Sequence, residues 1–224
     1  MNRKCLKLLV ASWRRSIINK MSNRSDFIVI RDMVASNSRI LDVGCDDGTL
    51  MQMLKESKTV DARGIELFPD RVNLCLAKGL SVVQGDANKD LAMYPKNSFD
   101  YVILSKTLQS MLQPKETLEE LLRVGKRAIV SIPNFGHWKV RLYLAIHGQM
   151  PVTPSLPATW FNTENIHLCT INDFLELCAN MNINIIKSVA LDKNGKVLNF
   201  ANRLRSVNLI GEQAIFLLEK NNHG

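Results

Sequence analysis

The sequence predicts a single α/β domain, doubly wound around a mostly parallel, seven-stranded sheet. Three observations carry that reading. Short apolar runs alternate with longer mixed segments at the spacing of βαβ units, from about residue 26 to residue 220. The first run, Arg39-Ile40-Leu41-Asp42-Val43, passes straight into a glycine-punctuated turn, Gly44-Cys45-Asp46-Asp47-Gly48, and then into a helical segment. The next two runs end in acids, Glu66 and Asp86. In order, the strands are read at residues 39–43, 63–67, 80–86, 99–105, 126–132, 183–191 and 213–219, with helices at 49–57, 70–78, 114–124 and 170–181 and one helix before the first strand. Residues 99–105 form an apolar run too short for anything but a strand covered on both faces.

A glycine turn between a buried strand and a helix lets the backbone fold tightly and approach a ligand, while the helix start offers unpaired N–H groups. The spacing here is Asp-x-Gly-x-x-x-Gly, not the G-x-G-x-x-G of dinucleotide-binding proteins. With an acid two residues before its first glycine, it is similar to the nucleoside-binding loop of class I S-adenosylmethionine-dependent methyltransferases, a Rossmann-like fold. Glu66, a little over twenty residues after Asp42, closes the second strand where a carboxylate can accept both hydroxyls of a ribose. In the methyltransferase pattern Asp86 caps the adenine amino group, and the stretch from Ser105 to Met111 forms the floor of the cleft. The expected cofactor residues are therefore Asp42, Gly44, Cys45, Asp46, Gly48, Glu66, Leu67, Asp86, Ala87 and Ser105.

The second half of the chain carries longer motifs: RVGKRAIVSIPNFGHW through Trp138, Met150-Pro151-Val152-Thr153, and Asn165-Ile166-His167-Leu168-Cys169-Thr170. Together with the LDVGC loop and FDYVILS, these resemble the MetW family of bacterial methionine-biosynthesis proteins, over nearly the whole chain from about Asp26 to Lys220. The resemblance implies a partner role rather than a defined methyl transfer. MetW-type proteins accompany and activate homoserine O-acetyltransferase, which makes the activated homoserine ester used in sulfur assimilation. It also implies S-adenosylmethionine or S-adenosylhomocysteine as the cleft's ligand. One residue departs from the family pattern, which keeps glycine where this chain has Asp46. A side chain there would crowd the closest backbone approach to the ligand, and a positive φ would cost a non-glycine residue on the order of 1 kcal/mol. Aspartate is among the few types that tolerate that conformation. Weakened cofactor binding is the expectation.

Composition sets outer limits. With 224 residues, no repeat and no low-complexity linker, the chain has the size of one ordinary domain. Its net charge of +8 suggests nucleic acid until its distribution is examined: seven basic residues and no acid precede Asp26, and the remainder holds 22 Lys+Arg against 21 Asp+Glu. A nearly neutral domain therefore carries a basic arm, residues 1–25, and no clustered basic face with aromatic platforms points to DNA or RNA. The arm mixes its bases with Leu6, Leu8, Leu9, Trp13 and Ile17, so it is read as an amphipathic membrane-surface segment, as a disordered tail, or as a mis-called start with the true one at Met21. Its apolar run is shorter than the roughly 20 residues a membrane span requires. Five cysteines without a C-x-x-C pair fit free thiols in a bacterial cytoplasm.

No catalytic group announces itself. His137, His167, Tyr143 and Asp173 are the candidates for a base or orienting group near the cleft. His137, in Asn-Phe-Gly-His-Trp, either holds a substrate carboxylate or closes the turn after the fifth strand. His167 has no partner pair of the kind zinc requires, and no metal is expected. The stretch 150–161, ending in Trp160 and Phe161, is either a lid over the site or a protein-contact patch. Two functions follow: a regulatory partner of homoserine O-acetyltransferase that senses S-adenosylmethionine, or an active methyltransferase on a small molecule.

Overall fold

The computed structural model describes residues 24–153, 156–198 and 204–221. The expectations for the basic arm before Arg24 lie outside the described residues. Strands β1 (Arg39–Val43), β2 (Asp61–Glu66), β3 (Ser81–Gln84), β4 (Phe99–Ser105), β5 (Gly125–Pro133), β6 (Ile183–Leu191), β7 (Val197–Leu198) and β8 (Gln213–Lys220) form one sheet in the order β3-β2-β1-β4-β5-β8-β6-β7. The first five strands pair in parallel, and β8 inserts antiparallel between β5 and β6. The strand order reverses between β1 and β4, and both strands end at the glycine turn, which is where open α/β sheets leave a crevice.

The helices are α1 (Ser25–Met33), α2 (Thr49–Lys58), α3 (Pro69–Ala77), α4 (Ala87–Asp90), α5 (Pro114–Val124), α6 (Trp138–His147), α7 (Ile171–Asn180) and α8 (Leu204–Ile210). They cover the sheet from two sides. One core cluster joins Ile30, Met51 and Leu54 to the Ile40, Ile103 and Ile215 side; the other joins Leu118, Leu121 and Phe174 to the Leu41, Leu104 and Phe216 side. The alternation of Ile40 and Leu41 between the two clusters is the period-2 pattern of a strand buried on both faces. Proline at the first turn starts α3 and α5, where its missing N–H costs nothing, and a Thr170/Asp173 capping box starts α7.

The sheet has eight strands where seven were expected. The additional one, β7, is a two-residue edge strand returning on β6 through a turn in which the Asp192 carboxylate accepts the N–H groups of Asn194 and Lys196. Two paired residues are too short to register as an apolar run. The long motif after β5 has a structural reason: buried Asn134 donates to the carbonyls of Asn208 and Gly211 at 2.8 and 2.7 Å and accepts from Gly136 and Ile171. One amide thus ties the end of β5 to α7 and α8, using most of its hydrogen-bonding capacity.

Candidate functional site

Beyond the carboxyl ends of β1, β2 and β4 lies a cleft of about 820 Å³. The glycine turn forms one wall. Gly44 has φ +70°, and a Cβ there would come within 3.1 Å of the Thr107 side chain. Gly48, φ +72°, packs where a Cβ would collide with Leu80 and Cys75. The turn is held from inside: the Gly44 N–H donates to the Ile65 carbonyl at 2.9 Å, and Asp47 Oδ1 accepts from the Thr49 N–H at 3.1 Å where α2 begins. Nine of the ten expected cofactor residues line this cleft, the exception being Gly48, which lies behind the turn.

Asp42 is buried, 2% exposed, and its Oδ2 has no hydrogen-bond partner. Burial pushes its carboxyl up to about 7; the Arg24 charge opposes this, while Glu66 and Asp46 add to it. Glu66 is fixed by two backbone donors, Asp46 N–H to Oε2 at 2.8 Å and Phe68 N–H to Oε1 at 3.1 Å. Each oxygen keeps a further lone pair, so the locked carboxylate can still accept two hydroxyls. Asp86 caps α4 by accepting from the Asn88 N–H at 3.0 Å; the Asn88 side-chain amide, donating at 3.0 Å, and then Lys89, paired at 3.0 Å, hold its carboxyl below the usual range. Leu67 and Phe68 follow Glu66 half exposed on the cleft wall, a pair of apolar faces suited to flank a planar base. Ser105 Oγ lies 3.3 Å from Ser131 Oγ at the floor, and Thr107, Ser110 and Met111 continue it.

Asp46 has φ +51°, so the position does require the left-handed conformation. Its carboxylate is more than half exposed and pairs with Arg71 at 3.1 Å. Cys45, beneath the loop, is buried, and burial raises its thiol far above the ordinary range. The four described cysteines are free thiols.

The four side chains expected near the cleft as catalytic candidates do not line it. His137 is the N-cap of α6, its Nδ1 accepting the Lys139 N–H at 3.3 Å, and it borders a separate hollow of about 310 Å³ with Tyr143 and Glu212. Tyr143 stacks on His147 at 4.3 Å, His167 is exposed, and Asp173 completes the α7 capping box. Sequence reasoning missed Arg24, Phe68 and Arg71, which do line the cleft, whereas Lys106 falls within the stretch 105–111 read as its floor. Phe68 had a signal in its place two residues after Glu66. Arg24 had none, since in the sequence it is one more base of the arm. Among the described residues, no three His, Cys, Asp or Glu side chains are grouped to hold a metal ion, and no helix is long and apolar enough to cross a membrane.

Comparison with solved structures places the fold. A methyltransferase from Thermotoga maritima described as a possible histamine N-methyltransferase superposes with a TM-score of 0.63 at 16% identity, covering 94% of this chain and 95% of that one. A methyltransferase from Archaeoglobus fulgidus gives 0.58 at 16% identity, covering 96% and 94%. These establish the class I methyltransferase fold. Among curated proteins, the bifunctional methionine biosynthesis protein MetXA/MetW of Rhodopirellula baltica is 33% identical over 172 residues, 73% of this chain but 28% of that protein. An uncharacterized methyltransferase of Schizosaccharomyces pombe is 31% identical over 119 residues, 49% of this chain and 45% of that one. The chain thus spans less than half the length of either relative. The model of the family described as methionine biosynthesis protein MetW matches residues 24–218. With that match over most of its length, the chain belongs to the MetW family of methionine biosynthesis proteins.

Proposed function

We propose that this protein binds and activates homoserine O-acetyltransferase in a bacterial cytoplasm, and that its cleft holds S-adenosylmethionine or S-adenosylhomocysteine as a signal of methionine supply. The observation that carries the partner is the relative in which MetXA and MetW share one polypeptide, as its name states. Two functions joined in one chain in one organism are natural partners as separate chains in another. The cofactor rests on the cleft. Its volume falls within the usual range for small-molecule sites, it combines apolar faces with a few fixed polar groups, and it leaves one buried carboxylate oxygen without a partner. Asp42, Glu66 and Asp86 would hold the amino-acid, ribose and adenine parts, and Gly44 would allow close backbone approach.

When bound, such a cofactor supplies either an electrophilic methyl group or a concentration signal. Signalling is favoured because His137, Tyr143, His167 and Asp173 all lie away from the cleft. The test is acetyltransferase activity measured with and without this protein across a range of S-adenosylmethionine concentrations. Activation that varies with the cofactor supports the reading; unchanged activity with no complex formed sinks it.

The competing reading is methyl transfer to a small molecule, which the methyltransferase fold favours. Radiolabelled methyl incorporation into a metabolite extract would establish it.

A further inference from the structure

The second hollow, of about 310 Å³, shares no lining residue with the cleft. Three strand ends meet beside it. Pro133 at the end of β5 and Leu191 at the end of β6 both pair with Gln213 at the start of β8. His137 follows β5, Lys193 follows β6 and Glu212 precedes β8, so the register brings an imidazole, an ammonium and a carboxylate to one hollow from distant parts of the chain. Lys139 adds a second ammonium, and Val140, Pro151 and Val152 give the hollow an apolar side.

The polar groups are positioned but not paired. His137 is 7% exposed, and its Nδ1 accepts the Lys139 N–H at 3.3 Å, so the neutral ring carries its proton on Nε2. Burial lowers the ring below its ordinary range; Glu212 opposes this and Lys139 adds to it, and the ring is neutral at pH 7. Its Nε2–H has no hydrogen-bond partner among the described residues. Glu212 is fixed through its backbone, its N–H donating to the Leu191 carbonyl and its carbonyl accepting from the Asn134 N–H, both at 2.9 Å. Its carboxylate is partly buried and forms no hydrogen bond or ion pair among the described residues, although two lysines border the same hollow. Opposite charges held around one space without meeting leave room for a ligand that carries both.

We infer that this hollow binds a free α-amino acid with an apolar side chain: His137 Nε2 and the two lysines take its carboxylate, Glu212 takes its ammonium, and Val140, Pro151 and Val152 face its side chain. A bare carboxylate would leave Glu212 unpartnered, and a bare amine would leave the imidazole donor and both lysines so. A phosphate would set two negative charges against Glu212. The volume stands at the lower end for small-molecule sites, which suits one amino acid rather than a peptide. The site is independent of whatever fills the cleft, and it stands whether or not the nucleoside reading does.

The experiment is isothermal titration of the full chain with L-methionine and L-leucine, with N-acetyl-L-methionine, which lacks the ammonium, and with L-methionine methyl ester, which lacks the carboxylate. Each titration is repeated with S-adenosylhomocysteine in excess. At least one free amino acid should bind with a Kd below about 1 mM. Both blocked forms should bind at least about tenfold more weakly than L-methionine. Glu212→Gln should remove the preference for L-methionine over its N-acetyl form, and His137→Asn, which keeps a capping side chain on α6, should weaken the free amino acid about tenfold. S-adenosylhomocysteine should leave these affinities within about twofold, because the two sites share no residue. Four results overturn the inference: no binding of either free amino acid up to about 10 mM, equal affinity for the blocked forms, affinities untouched by both variants, or displacement by S-adenosylhomocysteine, which would put the amino acid in the cleft. The blocked forms need no variant, so they decide the matter even if His137→Asn fails to fold.

Discussion

The half of the sheet built from β1, β2 and β4 and the segment from Trp138 to Leu168 are about equally apolar in sequence, yet they behave oppositely. From Ile40 to Val43 every side chain is buried, and so are those from Tyr101 to Leu104. Along α6, Val140 alone is buried, while Trp138, Leu142, Tyr143, Leu144 and Ile146 are exposed. Trp160 and Phe161 pack edge to face on each other and stay about three-quarters exposed. Apolar content therefore does not by itself report a core. What distinguishes the first region is that two layers of helices close over it; in the second, local caps such as His137 and Gly148 hold a helix that buries little.

The sharpest way to break this comparison is by truncation. Leu118, with no exposed surface, should cost about 2–5 kcal/mol as Leu118→Ala, and Ile146→Ala less than about 0.5 kcal/mol. In thermal unfolding followed by circular dichroism, that is a fall in Tm of roughly 5–15 °C against almost none. A comparable loss for Ile146→Ala would mean that α6 is part of the cooperative core after all. Adding an atom is the next test. A Cβ on Gly64 would lie 2.7 Å from Cys45 Sγ, 2.9 Å from Met51 Sδ and 3.0 Å from Val82, whereas Gly148 at the end of α6 has open space and φ +63°. Gly64→Ala should cost about 1–3 kcal/mol through overpacking. Gly148→Ala should cost only the backbone strain, about 1 kcal/mol.

The same contrast governs how much was legible. Strands β1 and β4 and helix α5 fall at the residues the pattern predicts, because both-face burial and a proline start leave strong local marks. The cleft's acids and glycines were legible for the same reason, as each sits at a strand end or turn. Helix α6 was not, since its apolar residues run around the whole cylinder and present no face. The ion-paired end of the cleft was hidden differently: Asp26 on α1 meets Lys106 after β4 only once the sheet is formed. Asp26 itself reads as an ordinary helix-start acid. The exposed ends of α6 and the 160s leave no trace of what they do, because exposure imposes no periodicity.

Within the well-packed half, the proposed role of buried Asp42 predicts that ligand binding depends on pH. Its folded carboxyl sits at about 7 against an ordinary 3.8, so it is protonated in the free chain at pH 6. Arg24 favours the charged form, and Glu66 and Asp46 disfavour it. A ligand ammonium needs the charged form, so S-adenosylhomocysteine should bind more weakly as pH falls below about 7, by up to tenfold per unit. The raised value also means that ionising Asp42 opposes folding: the unliganded chain should lose stability as pH rises from about 4 to about 7 through this group. Calorimetric titrations at pH 5.5, 6.5 and 7.5 check the binding arm, and an affinity that does not change would separate Asp42 from the ligand's ammonium.

The smallest expected effect lies at the boundary between the two behaviours, at Asp46, a residue on the closely packed glycine turn whose own side chain points to solvent and Arg71. Asp46→Gly relieves a left-handed aspartate, worth on the order of 1 kcal/mol, but adds unfolded-chain entropy of similar size and removes an exposed ion pair worth under about 1 kcal/mol. These nearly cancel, so Tm should move by less than about 4 °C. Ligand affinity should move more than stability does, because the variant removes both a Cβ and a charge from the cleft wall. We expect S-adenosylhomocysteine to bind Asp46→Gly a few-fold more tightly. If side-by-side calorimetry shows no gain, the Arg71 pairing already neutralises the carboxylate and turns it away from the ligand, and Arg71→Gln should then weaken binding where Asp46→Gly did not strengthen it.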